Sequence, residues 1–128
     1  MALAIEDPER ITGLGLVGAG PGFRNPASRD KWNESVDKLA AERDMPDGLA
    51  EISKHVDAMV IDRLTEITAP VAVVVGERDK GFLASAAVFE KNLTVVAHEV
   101  VAGAGHMVHA KAAAQVATVL RDTFAATS

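Results

Sequence analysis

Three apolar runs divide this chain, and outside them the apolar positions fall at helical spacing. The runs are residues 11–17 (ITGLGLV), 71–75 (VAVVV) and 94–101 (TVVAHEVV). The first two are nearly continuous, which fits strands covered on both faces, the habit of parallel sheets. Pro70 introduces the second run and Gly76 closes it, making it the clearest strand of the three. Glycines at 13 and 15 weaken the first, and His98 and Glu99 interrupt the third. After the second run, Ala84, Ala87 and Val88 predict a short helix over about 83–90. After the third, Ala112, Val116, Val119, Leu120 and Phe124 share one stripe of a helix over about 108–125. Residues 1–7 read as helical turns ending ahead of Pro8. The order strand, excursion, strand, helix, strand, helix is repeated βαβ. It predicts an α/β fold: a three-stranded parallel sheet with helices on both faces.

The excursion is far longer than a crossover requires. Residues 23–68 are polar, hold the one Trp, and carry two further helical patterns. The first starts near Ser28 and runs through Trp32, Val36, Leu39 and Ala40. After Met45-Pro46-Asp47-Gly48, the second places Leu49, Ile52, Val56, Met59 and Val60 on one face. A crossover between parallel strands needs only about a dozen residues, and long insertions are often lids or binding loops. Phe23, Trp32, Leu49 and Met59 could line a cavity there, although apolar residues at helical spacing usually serve packing.

Composition narrows the function classes. With 128 residues, 48% of them hydrophobic, the chain is sized for one domain with a real core. Its formal charge is -5, and the 13 Lys and Arg are scattered, which disfavours nucleic acid as a partner. The absence of cysteine excludes disulfides, thiolate metal sites and a Cys nucleophile. No apolar run approaches the roughly 20 residues of a membrane span, and the first residues lack the pattern of a signal peptide. The expectation is a cytoplasmic protein with no membrane contact.

Functional groups of an open parallel sheet collect at the carboxyl ends of its strands. Two ionisable residues meet that condition: Asp79, in Gly76-Glu77-Arg78-Asp79 after the second run, and His106, in Gly103-Ala104-Gly105-His106 after the third. If the strands are neighbours, both side chains share one rim. A carboxylate on one imidazole nitrogen fixes the tautomer and stabilises the imidazolium once the other nitrogen takes a proton. The plainer alternatives are that Asp79 only caps the following helix and that His106 only caps the last one. His55, His98 and His109 read as structural, and Glu77 as solvated. His106 and His109 could share a metal on a helix, but no third ligand lies near in sequence. The Gly18-Ala19-Gly20-Pro21-Gly22 stretch lacks the Lys and Ser/Thr of a phosphate loop and reads as a turn.

These segments resemble the C-terminal half of the α/β-hydrolases, in which a strand ending in G-x-x-D supplies the acid and G-x-G-H the histidine. Asp7-Pro8-Glu9-Arg10-Ile11, leading into a strand and a Gly-rich loop, is similar to the family's sixth strand and its approach. On that resemblance the insertion is a helical cap, the domain is a single partial α/β-hydrolase, and Asp79 and His106 are the acid and the base of a Ser-His-Asp triad. The family's nucleophile sits in a G-x-S-x-G elbow upstream of these segments, and none of the serines here has that context. The expectation is therefore a C-terminal piece whose nucleophile lies elsewhere. The implied substrate is a small apolar ester or similar carbonyl compound, and no cofactor is implied. The alternative expectation is a noncatalytic module that self-associates as a homo-oligomer, or joins an N-terminal half, through the open edge of its first strand.

Overall fold

The computed structural model describes residues 1–125. They divide into two compact units, one made of Met1–Pro21 with the chain from Arg63 onward, the other of Gly22–Asp62.

The larger unit holds the sheet. Strands β1 (Leu14–Val17), β2 (Val71–Gly76) and β3 (Val95–Val101) are all parallel and ordered β1-β2-β3. All six residues of β2 are buried, as an unbroken apolar run in the central strand requires. Helices cover both faces. Glu99 of β3 accepts a 2.6 Å hydrogen bond from Gln115 of α6 (Ala113–Ala125). Its neighbour His98 points the other way and meets Glu90 of α4 (Lys80–Asn92) at 2.7 Å. On the α6 face, Val74, Val101, Ala104, Val108 and Val116 form one buried cluster. On the same side, a methyl group on Gly15 would strike Leu120 and one on Gly13 would strike Phe124. Those two glycines therefore let α6 lie close on β1.

Helix α1 (Ala2–Glu6) buries Ala4 and Ile5. A 3-10 turn at Pro8–Arg10 follows, and pairing with β2 begins only at Leu14, three residues later than the apolar run implies. The terminal helix is broken. Its first turn, α5 (Val108–Lys111), ends at Ala112, whose φ of -134° is not helical, and α6 restarts at Ala113. The sequence predicts one helix over about 108–125 with its stripe from Ala112 to Phe124, so the break leaves no trace in periodicity.

The smaller unit departs further from expectation. Helix α2 (Pro26–Glu42) begins with Pro26 in the first turn, and the Asn25 side chain caps it by accepting the Ala27 N–H at 2.9 Å. The second helix expected over 49–60 does not form. A 3-10 turn, Leu49–Ser53, follows the left-handed Gly48, and α3 is one turn, Met59–Asp62. Residues 54–58 run without helix because side chains claim their backbone. Asn33 donates to the His55 carbonyl at 2.8 Å and accepts its N–H at 2.9 Å, and Asp57 accepts the Met59 N–H at 2.9 Å. The apolar stripe consequently goes unused, with Ile52 at 80% and Val56 at 92% exposure. The unit also ends at Asp62, earlier than the polar stretch. Leu64 and Ile67 are core residues of the larger unit.

Candidate active site

Strand β2 ends at Gly76 and turns within three residues, the Asp79 N–H donating to the Gly76 carbonyl at 3.0 Å. Asp79 thereby stands at the mouth of α4. Its backbone carbonyl accepts the Leu83 N–H at 2.9 Å, but its side chain makes no capping bond. The carboxylate is turned instead to the next loop. Strand β3 ends at Val101, and residues 102–107 double back so that the His106 carbonyl accepts the Val108 N–H at 2.8 Å. The position before α5 is occupied by Met107, so the His106 side chain does not cap that helix.

Asp79 Oδ2 and His106 Nδ1 lie 2.8 Å apart, with the Asp79 side chain 12% exposed and that of His106 53% exposed. The hydrogen bond holds Nδ1 and leaves Nε2 as the nitrogen free to exchange a proton. Two more groups box the ring. Phe82, in the first turn of α4, lies with its ring centroid 4.5 Å from the imidazole and tilted 35° to it. Gly18, just past β1 with φ +56°, passes so close that a methyl there would stand 3.2 Å from the His106 carbonyl oxygen and 3.5 Å from Nδ1. The imidazole is thus held by a carboxylate and an aromatic face that both follow β2, and by a glycine backbone that follows β1.

Neither Gly18 nor Phe82 stands out in the sequence. Gly18 is visible there only as one glycine of a turn, and its positive φ is fixed by how the chain leaves β1. Phe82 sits three residues after Asp79, a spacing that places both on the first turn of α4, which is the one signal available.

The other candidates stay apart. His98 pairs with Glu90 on the α4 face of the sheet, and His109 lies on the exposed side of α5. In the smaller unit, His55 packs edge-on to Phe23, with centroids 5.5 Å apart, and lies 6.1 Å from Trp32. Leu49 is 43% exposed. No three His, Asp or Glu side chains gather as metal ligands among the described residues. No helix among them is long and apolar enough to cross a membrane.

No protein-family model matches the sequence, and no curated protein matches it. Solved structures do match by shape. MenH from S. aureus superposes with a TM-score of 0.70 at 15% identity, over 98% of this chain and 63% of its own. A hydrolase from Pseudomonas aeruginosa PA01 gives 0.63 at 16% identity, over 96% and 59%. Proline iminopeptidase of Mycobacterium smegmatis gives 0.56 at 17%, over 98% and 62%. The chain therefore has an α/β-hydrolase fold in part. It spans about three fifths of the length of the structures it matches.

Proposed function

We propose that this chain carries the acid and the histidine of a hydrolytic site acting on a carboxylic ester or similar carbonyl substrate, the nucleophile coming from residues outside this sequence. The observation that carries the reading is the 2.8 Å bond between Asp79 Oδ2 and His106 Nδ1. His106 Nε2 takes the proton of the nucleophile as it attacks the carbonyl carbon and returns it to the leaving group. Asp79 keeps the ring in the tautomer that leaves Nε2 bare, and stabilises the imidazolium while the proton is held. The Gly22–Asp62 unit is the cap of such an enzyme, in a single partial domain. The chemistry needs no cofactor, and the cytoplasm suits it.

A triad acts as a unit, and loss of one member forfeits most of the rate. The chain alone is therefore expected to turn over p-nitrophenyl esters no faster than its His106→Ala variant. A His106-dependent burst of nitrophenol would mean that the chain holds its own nucleophile, and would overturn the division proposed. Translation of the coding sequence upstream of Met1 supplies the complementary test. An in-frame G-x-S-x-G there should give a longer chain whose ester hydrolysis is lost in both Asp79→Ala and His106→Ala.

A second reading has one observation behind it: among the described residues β1 is an edge of the sheet, hydrogen-bonded on the β2 side only. A noncatalytic module pairing through that edge, with a second copy or a separate N-terminal half, would use it. Sedimentation across a wide concentration range decides for self-pairing, since a monomer throughout rules it out.

A further inference from the structure

We propose that Glu77 is a positioning residue for His106: its carboxylate holds the Gly103 amide and so fixes the loop that carries the imidazole to Asp79. The inference rests on His106 being the proton carrier of the proposed site. The sequence alone makes Glu77 a solvated surface acid, and the structure gives it a partner.

The four residues of Gly76-Glu77-Arg78-Asp79 each meet the loop after β3 in a different way. Gly76 supplies nearness. A methyl group on it would overlap the carbonyl oxygens of Ala104 and Gly105, so the loop lies directly on this backbone. Glu77 binds twice. Its N–H donates to the Val101 carbonyl at 3.0 Å, and its Oε2 accepts the Gly103 N–H at 2.7 Å. Arg78 donates its own N–H to the Ala104 carbonyl at 2.9 Å. Asp79 then takes His106. Residues 101, 103, 104 and 106 are thereby tied in succession to residues 77, 77, 78 and 79, like two facing rows of hooks.

Within this row the Gly103 tether is the one in which a side chain holds the backbone of the loop. Gly103 is exposed and turns through φ +69°. Left to water, that turn would be free to reorient, since glycine pays little to leave it. A carboxylate acceptor is shorter and stronger than a neutral one, and the 2.7 Å distance is what such a bond gives. The two backbone bonds would survive its loss. The loop should then stay near its place but spread over more positions, and small displacements of a catalytic group are costly.

The test compares Glu77→Ala with Glu77→Gln in the full chain, reading two NMR signals: exchange of the Gly103 amide, and the His106 Nδ1 proton bonded to Asp79. Alanine is expected to speed Gly103 exchange about tenfold to a hundredfold, as loss of a charge-assisted bond implies, and to broaden or abolish the His106 signal. Glutamine keeps a carbonyl acceptor and should restore most of both. An unchanged His106 signal in a folded Glu77→Ala variant would overturn the proposal, leaving Glu77 as a surface tether. Should alanine prevent folding, Glu77→Asp, one methylene too short to reach the Gly103 amide, takes its place with the same two readings. Neither signal needs a nucleophile. Failure to hydrolyse esters in any longer form would count against the proposed function and leave the role of Glu77 to be decided by NMR.

Discussion

In the larger unit every residue of β2 is buried and Phe89 of α4 is 1% exposed, whereas the residues of Gly22–Asp62 are at most half-buried. Around the Phe23, Trp32 and His55 rings the smaller unit is held by polar bonds. Trp32 donates its indole N–H to the Ser53 carbonyl at 2.7 Å, Asn33 clasps the His55 backbone in both directions, and Arg24 joins Asp62 at 2.7 Å. Lys54 is gripped by Asp37 at 2.7 Å and Glu51 at 2.6 Å. Burial is non-directional and roughly additive in area, and polar bonds at a surface contribute little net free energy each. Asp79 and His106, 2.8 Å apart, both stand on the unit that burial anchors.

The largest expected effect comes from breaking the burial side of that contrast. Phe89→Ala leaves a cavity under the sheet and should cost about 3–5 kcal/mol of unfolding free energy, read as a lower urea midpoint with unchanged slope. A loss under about 1 kcal/mol would show that the core repacks and that burial is not what fixes the site. The polar side should break at smaller scale and locally. Asn33→Ala deletes both bonds to the His55 backbone, at about 1–2 kcal/mol. Hydrogen exchange should rise in amides of 22–62, while those of β2 keep their protection. If β2 amides speed up equally, the two units open together and the contrast fails.

The same division governs what the sequence discloses. Strand β2 is legible because an unbroken apolar run buried on both faces has few other homes. Asp79 and His106 are legible because strand ends of a parallel sheet fix where their loops emerge, so position in the pattern stands for position in space. In the Gly22–Asp62 unit this reasoning fails. The stripe of Leu49, Ile52 and Val56 has helical spacing, but the left-handed Gly48, Asn33 reaching across from α2 and Asp57 at the start of α3 hold the backbone elsewhere. Competing side-chain bonds leave no periodic mark. Gly18 and Glu77 were hidden for a related reason. One is marked by a positive φ and the other by a bond to an amide 26 residues away, and both depend on loops meeting after the sheet has formed.

The smallest effect sharpens the comparison by separating the units with pH. Arg63 joins Glu66 at 2.8 Å and also Glu6, which ties the segment after Asp62 to α1 within the larger unit. The hydrogen bond from Arg63 holds the Glu66 carboxyl below its ordinary 4.5. A depressed acid contributes stability that is complete above 4.5 and is lost as pH falls through its lowered folded value. In the smaller unit, Asp37 and then Glu51 hold Lys54 above its ordinary 10.5. A raised base contributes stability that is complete below 10.5 and is lost as pH rises through its folded value. Acid should therefore loosen the Glu66 tether, and a Glu66→Gln variant should differ from the parent in thermal midpoint at neutral pH but converge with it in acid. Alkali should act on the other unit. Trp32, the one Trp of the chain, bonds Ser53 next to Lys54. Its emission should shift above pH 10.5 in the parent, and that step should vanish in Lys54→Met. Both pairs are solvent-exposed enough to be screened, so each difference should also shrink in molar salt. An alkaline step that persists in Lys54→Met would mean that the smaller unit is held by something other than its ion pairs.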